Sequence, residues 1–254
     1  MQTTEYLSVL FRWIHIVAGI IWIGLLYWFN FVNIPFAGLM DGDTKKKVVP
    51  ELMPRSLFWF RWGAMWTWVT GVLLLLLVFY HGGLMFEEGK GGWGMPTFVI
   101  LALVFLMFFI YDQLAKSIGK DIRVMGAVGF VLLVAFTYAM MSWAEFSYRA
   151  YVIHIGATFG TLMMMNVWMR IWPSQKKIIA AIKEGQAPDA GIVALAGQRS
   201  RHNTYMSVPL VWTMINQHTV VPAANSPMYL FAVTLLAWLV VSWLYDKSAK
   251  VKGM

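Results

Sequence analysis

No cysteine occurs anywhere in the 254 residues. That excludes disulfides, thiolate-bound metals, iron–sulfur clusters and a covalent CxxCH haem within this sequence. Charge is also scarce: 13% of residues are charged, with 12 acids against 20 Lys and Arg. The resulting net charge of +8 is not a nucleic-acid footprint, because the basic residues fall between apolar runs. There is no internal repeat and no low-complexity tract. The opening MQTTEYLSVLF has neither a basic n-region nor a small-residue cleavage site, so it is expected to start the first span, not to be a cleaved signal.

What the sequence has in quantity is apolar surface: 59% hydrophobic residues, 14 Trp, 17 Phe and a mean hydropathy of +0.63. These mark a multi-pass membrane protein with aromatic belts, expected in a bacterial inner (plasma) membrane. The expected fold class is all-α: a polytopic membrane helical bundle of about seven transmembrane helices, forming one integral membrane domain over residues 1–254. The spans read as 6–34, 57–80, 96–115, 124–143, 149–171, 203–220 and 228–246. Pro35, Pro50, Pro54, Pro96, Pro173, Pro188, Pro222 and Pro227 fall at or between span ends, and only Pro209 lies inside one. The sixth span is short and polar, so it is tolerable only when packed inside the bundle. A cytoplasmic loop is expected over about 174–200, where QKKIIAAIKEG reads as a short amphipathic helix or a solvated loop helix.

Seven spans place the termini on opposite sides. Fifteen loop Lys and Arg, among them Lys45, Lys46, Lys47, Lys176 and Lys177, fall on one side, against Arg12, Lys90 and Arg149 on the other. The first side is therefore cytoplasmic, with the N-terminus outside.

Orientation gives the histidines a pattern. His15, His81, His154 and His218 all fall towards the outer half, whereas His202 is cytoplasmic. Ionisable groups inside spans usually face the protein interior and often mark function. Convergent histidines suit haem b held by imidazoles from two helices, or less readily a histidine copper site, where Glu145 is the only acid nearby. The alternative is four separate interfacial histidines. His15 and His154 lie deepest and form the expected axial pair to a haem iron, with His81 and His218 as a reserve pair. Gly156 and Gly160 form a GxxxG that allows close approach.

A second polar cluster lies at the cytoplasmic side: Asn30, Asn33, Asn166, Arg201, His202, Asn203 and Thr204. It reads either as hydrogen-bonded helix glue or as a pocket for a polar, planar substrate.

Two segments are distinctive together. His15-Ile-Val-Ala-Gly-Ile-Ile-Trp22-Ile-Gly24 runs on through Tyr27-Trp28-Phe29-Asn30-Phe31-Val32-Asn33-Ile34-Pro35-Phe36, and Ser200-Arg201-His202-Asn203-Thr204-Tyr205-Met206-Ser207-Val208-Pro209 follows later. With these the chain resembles the membrane domain of the cytochrome-c-linked membrane urate oxidases over nearly its whole length. The resemblance implies oxidation of urate to 5-hydroxyisourate, with electrons passing to a c-type haem. In that family a cytochrome c domain follows the membrane domain. This sequence ends at Met254 without a CxxCH, so a separate c-type cytochrome is the expected partner, with the lipid bilayer and other membrane subunits around it. On that footing Arg201 and His202 are the catalytic candidates, His202 as the base, and Asn30, Asn33, Asn166 and Asn203 bind substrate. The other reading is a haem-bearing or structural accessory subunit of a larger membrane complex, without catalytic activity of its own. A transporter is less expected, because no span has paired acids.

Overall fold

Helix starts in this chain are written in side chains. Asp41 accepts from the Thr44 backbone N–H at 2.9 Å, Asp121 from Arg123 at 2.8 Å, Ser147 from Ala150 at 3.2 Å and Asp189 from Ile192 at 2.8 Å. Each satisfies a donor that a helix N-terminus leaves orphaned. The structure, a computed structural model, describes residues 2–216 and 227–251. Among them run seven helical rods: α1 (2–39), α2 (Gly42–His81), α3 (Met95–Ser117), α4 (Ile122–Ser142), α5 (Tyr148–Lys183), α6 (Ala190–Asn216) and α7 (Pro227–Ser248). There are no strands among the described residues.

Four rods, α1, α2, α5 and α6, outrun their expected spans. α2 begins at Gly42, so Pro50 and Pro54 lie inside a helix, not between spans. The physical reason is a core-facing stripe at helical spacing, half-buried Val49 and then buried Met53, Leu57, Phe60 and Ala64, that continues across the prolines. α6 begins at Ala190 instead of 203, and the expected 174–200 loop shrinks to a short connection. QKKIIAAIKEG is no separate surface helix: Trp172–Lys183 continues α5 and packs against α2 and α6. Pro35 and Pro173 are likewise inside rods. Each follows a π-helical stretch, Trp28–Asn33 and Val167–Ile171. A proline cannot donate to the carbonyl four residues back, and a widened turn absorbs that loss. A third π stretch, Leu75–His81, ends α2.

Six of the rods are long and apolar enough to cross a membrane. α6 is the exception by composition, and it is packed among α1, α5 and α7, as its polarity requires. Pro209 lies inside it; Pro222 falls outside the described residues. α1 packs along α2 and α5 along α6. Gly63 makes the first pairing close, since a Cβ there would meet the Trp22 backbone at 3.2 Å. α5 is the axial helix, with its side chains buried almost continuously from Ala150 to Asn166. Outward-facing Trp13, Ile16, Ile20, Leu236 and Leu239 give the bundle the apolar surface of a multi-pass membrane protein.

Candidate functional site

The seven rods alternate in direction. The chain turns at 40–41, 118–121 and 184–189 therefore share one end with Lys45–Lys47, Lys116, Lys120 and Lys183. Just inside this basic end α1, α3, α5, α6 and α7 enclose a polar network. Asn203 is fully buried; it donates to the Met163 carbonyl at 3.0 Å and accepts from Asn166 at 2.8 Å. The second Asn166 N–H goes to the Tyr111 hydroxyl at 2.9 Å. Tyr111 in turn faces His202 Nδ1 at 2.9 Å, and His202 Nε2 faces the Gly119 carbonyl at 3.2 Å. A carbonyl only accepts, so Nε2 carries the hydrogen and Tyr111 donates to Nδ1. On the opposite flank Asn30 donates to Ser200 at 2.9 Å and accepts from Tyr245 at 2.8 Å. Tyr27 pairs with Ser207 at 3.0 Å.

Beside the network stands one acid among three cations. Arg170 grips Asp112 with two bonds, at 2.8 and 2.5 Å. Lys116 reaches it at 2.8 Å, and the fully buried Arg199 at 2.9 Å. One carboxylate thus meets three cations, leaving a surplus of two positive charges (3 − 1). The Arg199 guanidinium lies 5.1 Å from the centre of the Tyr111 ring. Its Nε and Nη1 have no hydrogen-bond partner among the described residues, nor does Asn166 Oδ1. Buried polar atoms are normally paired, so donors and an acceptor left over around one tyrosine suit a ligand offering both.

The expected cluster is therefore partly assembled. Asn30, Asn166, Asn203 and His202 are buried in the network, and Thr204 is buried beside them, donating to the Ser200 carbonyl at 3.1 Å. Asn33, on the next turn from Asn30, is only half-buried and takes no part in these bonds. Arg201 is exposed and lies over the Tyr245 ring at 5.0 Å, so the inward arginine is Arg199 instead. His202 is not a free base: both ring nitrogens are engaged, Nδ1 with Tyr111 and Nε2 with the Gly119 carbonyl. Tyr111, Asp112, Arg170, Arg199 and Tyr245 were missed by sequence reasoning. An available signal was Asp112, an acid within an apolar run with Lys116 one turn on.

The outer histidines among the described residues, His15, His81 and His154, do not converge. His15 Nδ1 lies 3.2 Å from Thr70 Oγ1, whose own hydrogen goes to the Trp66 carbonyl at 2.6 Å. His154 is fully buried; its Nδ1 donates to the Ala150 carbonyl at 2.6 Å, and its Nε2 faces the Tyr80 hydroxyl at 3.2 Å. Thr70 and Tyr80 are ten residues apart on α2, about 10–15 Å along the axis. Metal–imidazole bonds are about 2 Å. These side chains therefore do not fit one haem held between His15 and His154: they sit at different heights, and His154 has no free nitrogen. His81 is exposed at the end of α2, and His218 lies outside the described residues. Nor do the described residues bring together three His, Cys, Asp or Glu for copper or another metal. Glu145 is instead tied to the Gly91 N–H at 2.7 Å. Of the GxxxG pair, only Gly156 meets a neighbour, Thr213 on α6; a Cβ at Gly160 would touch nothing.

No curated protein and no solved structure matches the chain. A family model does, over residues 36–252, a stretch holding Tyr111, Asp112, Asn166, Arg170, Arg199, His202 and Asn203 but not His15, Asn30 or Asn33. The chain belongs to the urate oxidase N-terminal family.

Proposed function

We propose that this chain oxidises urate and that the buried network at the basic end is its purine site. One observation carries the reading: a fully buried arginine with two unpartnered N–H groups, beside an unpartnered amide oxygen, in a cluster with surplus positive charge. Urate is anionic, planar and edged with both acceptors and N–H donors. A guanidinium offers paired donors in one plane and stays charged when buried, and the Asn166 carbonyl takes a purine N–H. The reaction joins urate and water to give 5-hydroxyisourate, two electrons and two protons. A C–O bond forms at purine C5, and the electrons leave to an acceptor outside the chain, a separate c-type cytochrome by the family resemblance. Other membrane subunits of a redox complex fit the same scheme. The basic end is cytoplasmic in this reading, in a bacterial inner membrane.

The test is urate-dependent reduction of a soluble dye, dichlorophenolindophenol, by the purified protein in detergent. Arg199→Lys keeps the charge and loses the planar fork, so KM for urate should rise about 10- to 100-fold, the worth of a charge-assisted hydrogen bond. A thermal melt of the same sample separates this from misfolding. If the parent reduces no dye with urate, the enzyme reading falls and the accessory-subunit reading stands.

A further inference from the structure

A cavity of about 600 Å³ lies between α3, α4, α5, α6 and α7, within the usual size for a small-molecule site. Its walls are apolar for most of their extent, with Leu133, Phe136, Ile155, Leu162 and Trp238 among them. Most of its polar groups lie together: Tyr111 and Ser242 sit towards the basic end of α3 and α7, and their hydrogen-bond partners His202 and Tyr205 lie one turn apart near the middle of α6. Two of these, Tyr111 and His202, also belong to the buried network. The cavity and the proposed purine site thus share a wall.

The other end faces outward. Ile110, Leu132, Leu235 and Leu239 line the cavity and are exposed on the bundle surface, so it opens sideways onto the lipid-facing side. α4 contributes Gly126 and Gly129 here, and a Cβ at Gly129 would touch nothing. A molecule entering from the bilayer therefore meets a long apolar slot that ends in hydroxyls and an imidazole. Those inner groups are neutral, and their hydrogens are bonded within the protein, Tyr111 to His202, His202 to the Gly119 carbonyl and Tyr205 to Ser242. A quinone carbonyl would take over a tyrosine hydroxyl by rotation of its O–H, whereas these groups offer no charge to a phosphate headgroup. The exposed Arg123 stands at the rim.

We propose that this cavity binds an isoprenoid quinone, its ring against Tyr111, His202 and Tyr205 and its tail running out to the lipid, and that the quinone takes the electrons released from the substrate. The electron-accepting half rests on the urate-oxidising reading; the binding half does not. The balance closes without a further reagent. Urate, water and quinone give 5-hydroxyisourate and quinol: the C5 hydroxyl oxygen comes from water, and the two electrons and two protons reappear in the two O–H groups of the quinol. A c-type cytochrome then stands one step further on.

The experiment titrates the purified full chain in detergent with decylubiquinone and follows tryptophan fluorescence, since Trp238 lines the cavity. The expected result is saturable quenching, weakened at least tenfold by Gly129→Phe, which adds a ring to the slot from a position whose own Cβ has open space. Gly24→Phe, an exposed α1 position with equally open surroundings, should bind as the parent does. Dodecanol has a tail and no ring; if it displaces the quinone at equal concentration, the slot is an acyl-chain groove and the proposal is overturned. Equal binding by Gly129→Phe also overturns it. In a second arm urate is added, and quinol formation is read beside dye reduction. Dye reduction without quinone binding removes the quinone site and leaves the urate reading. Gly129-sensitive binding with neither acceptor reduced supports the site and removes urate oxidation.

Discussion

A carboxylate surrounded by cations holds them as much as they hold it. Asp112 binds Arg170 and Arg199 from two other helices and Lys116 from its own, so it joins α3, α5 and α6. Arg199 is fully buried, and its charge has no other acid in contact among the described residues. Removing one partner of a buried pair costs about 3–5 kcal/mol, because the other charge is left uncompensated. Asp112→Asn should therefore lower the melting temperature by roughly 6–20 °C. Replacing Arg199 with Met in that background should restore much of the loss. Thermal unfolding in one detergent reads both variants, and a double variant no more stable than Asp112→Asn would show that the pair is not what holds α3 to α6.

At the scale of elements, α5 and α6 approach closely at one small residue, Gly156. A Cβ at Gly156 would press on Thr213 and Met214 of α6, whereas one at Gly160 meets open space. Gly156→Ala should cost about 1–3 kcal/mol by overpacking. Gly160→Ala should be neutral or stabilising by up to about 1 kcal/mol, since alanine favours a helix interior. Parallel melting curves decide it, and equal effects at the two positions would mean that α5 and α6 are not packed in this register. The elements also project. α2 has 40 residues, about 60 Å of helix against a hydrocarbon core of about 30 Å. Its capped N-terminal half and the Trp172–Lys183 part of α5 thus build a shared basic platform beyond the membrane.

For the whole molecule, the platform's lysines make orientation testable. The positive-inside rule places this end in the cytoplasm and the N-terminus outside. A tag on the N-terminus should be labelled by an impermeant reagent in intact cells, and one on the C-terminus only after lysis. The reverse pattern would place the buried network, and any urate bound there, on the outer side.

Much of this was readable in the residues, because it depends on composition and on spacing along one helix. Apolar runs that must satisfy their own backbone in lipid become helices, so the all-α bundle followed directly. The polar sixth span had to be interior for the same reason, and Asn30, Asn166, Asn203 and His202 were visible as polar groups that needed partners. Element ends were less readable: the prolines at 50 and 54 argued for a stop, while the stripe from Val49 to Ala64 carried the helix through them. The choice between Arg199 and Arg201 was made by packing. At 3.6 residues per turn, two positions two residues apart point about 200° away from each other, so only one can face in. The stripe Arg199, Asn203, Met206 and Leu210 faces the core, and Arg201 is left on the surface. The histidines show the same division. An outer position for each was read from its place along its own helix, but whether they meet depends on the rotation and height of separate rods. Tertiary structure alone settled that, setting His15 against Thr70 and His154 against Tyr80, because no sequence spacing records how one helix turns towards another.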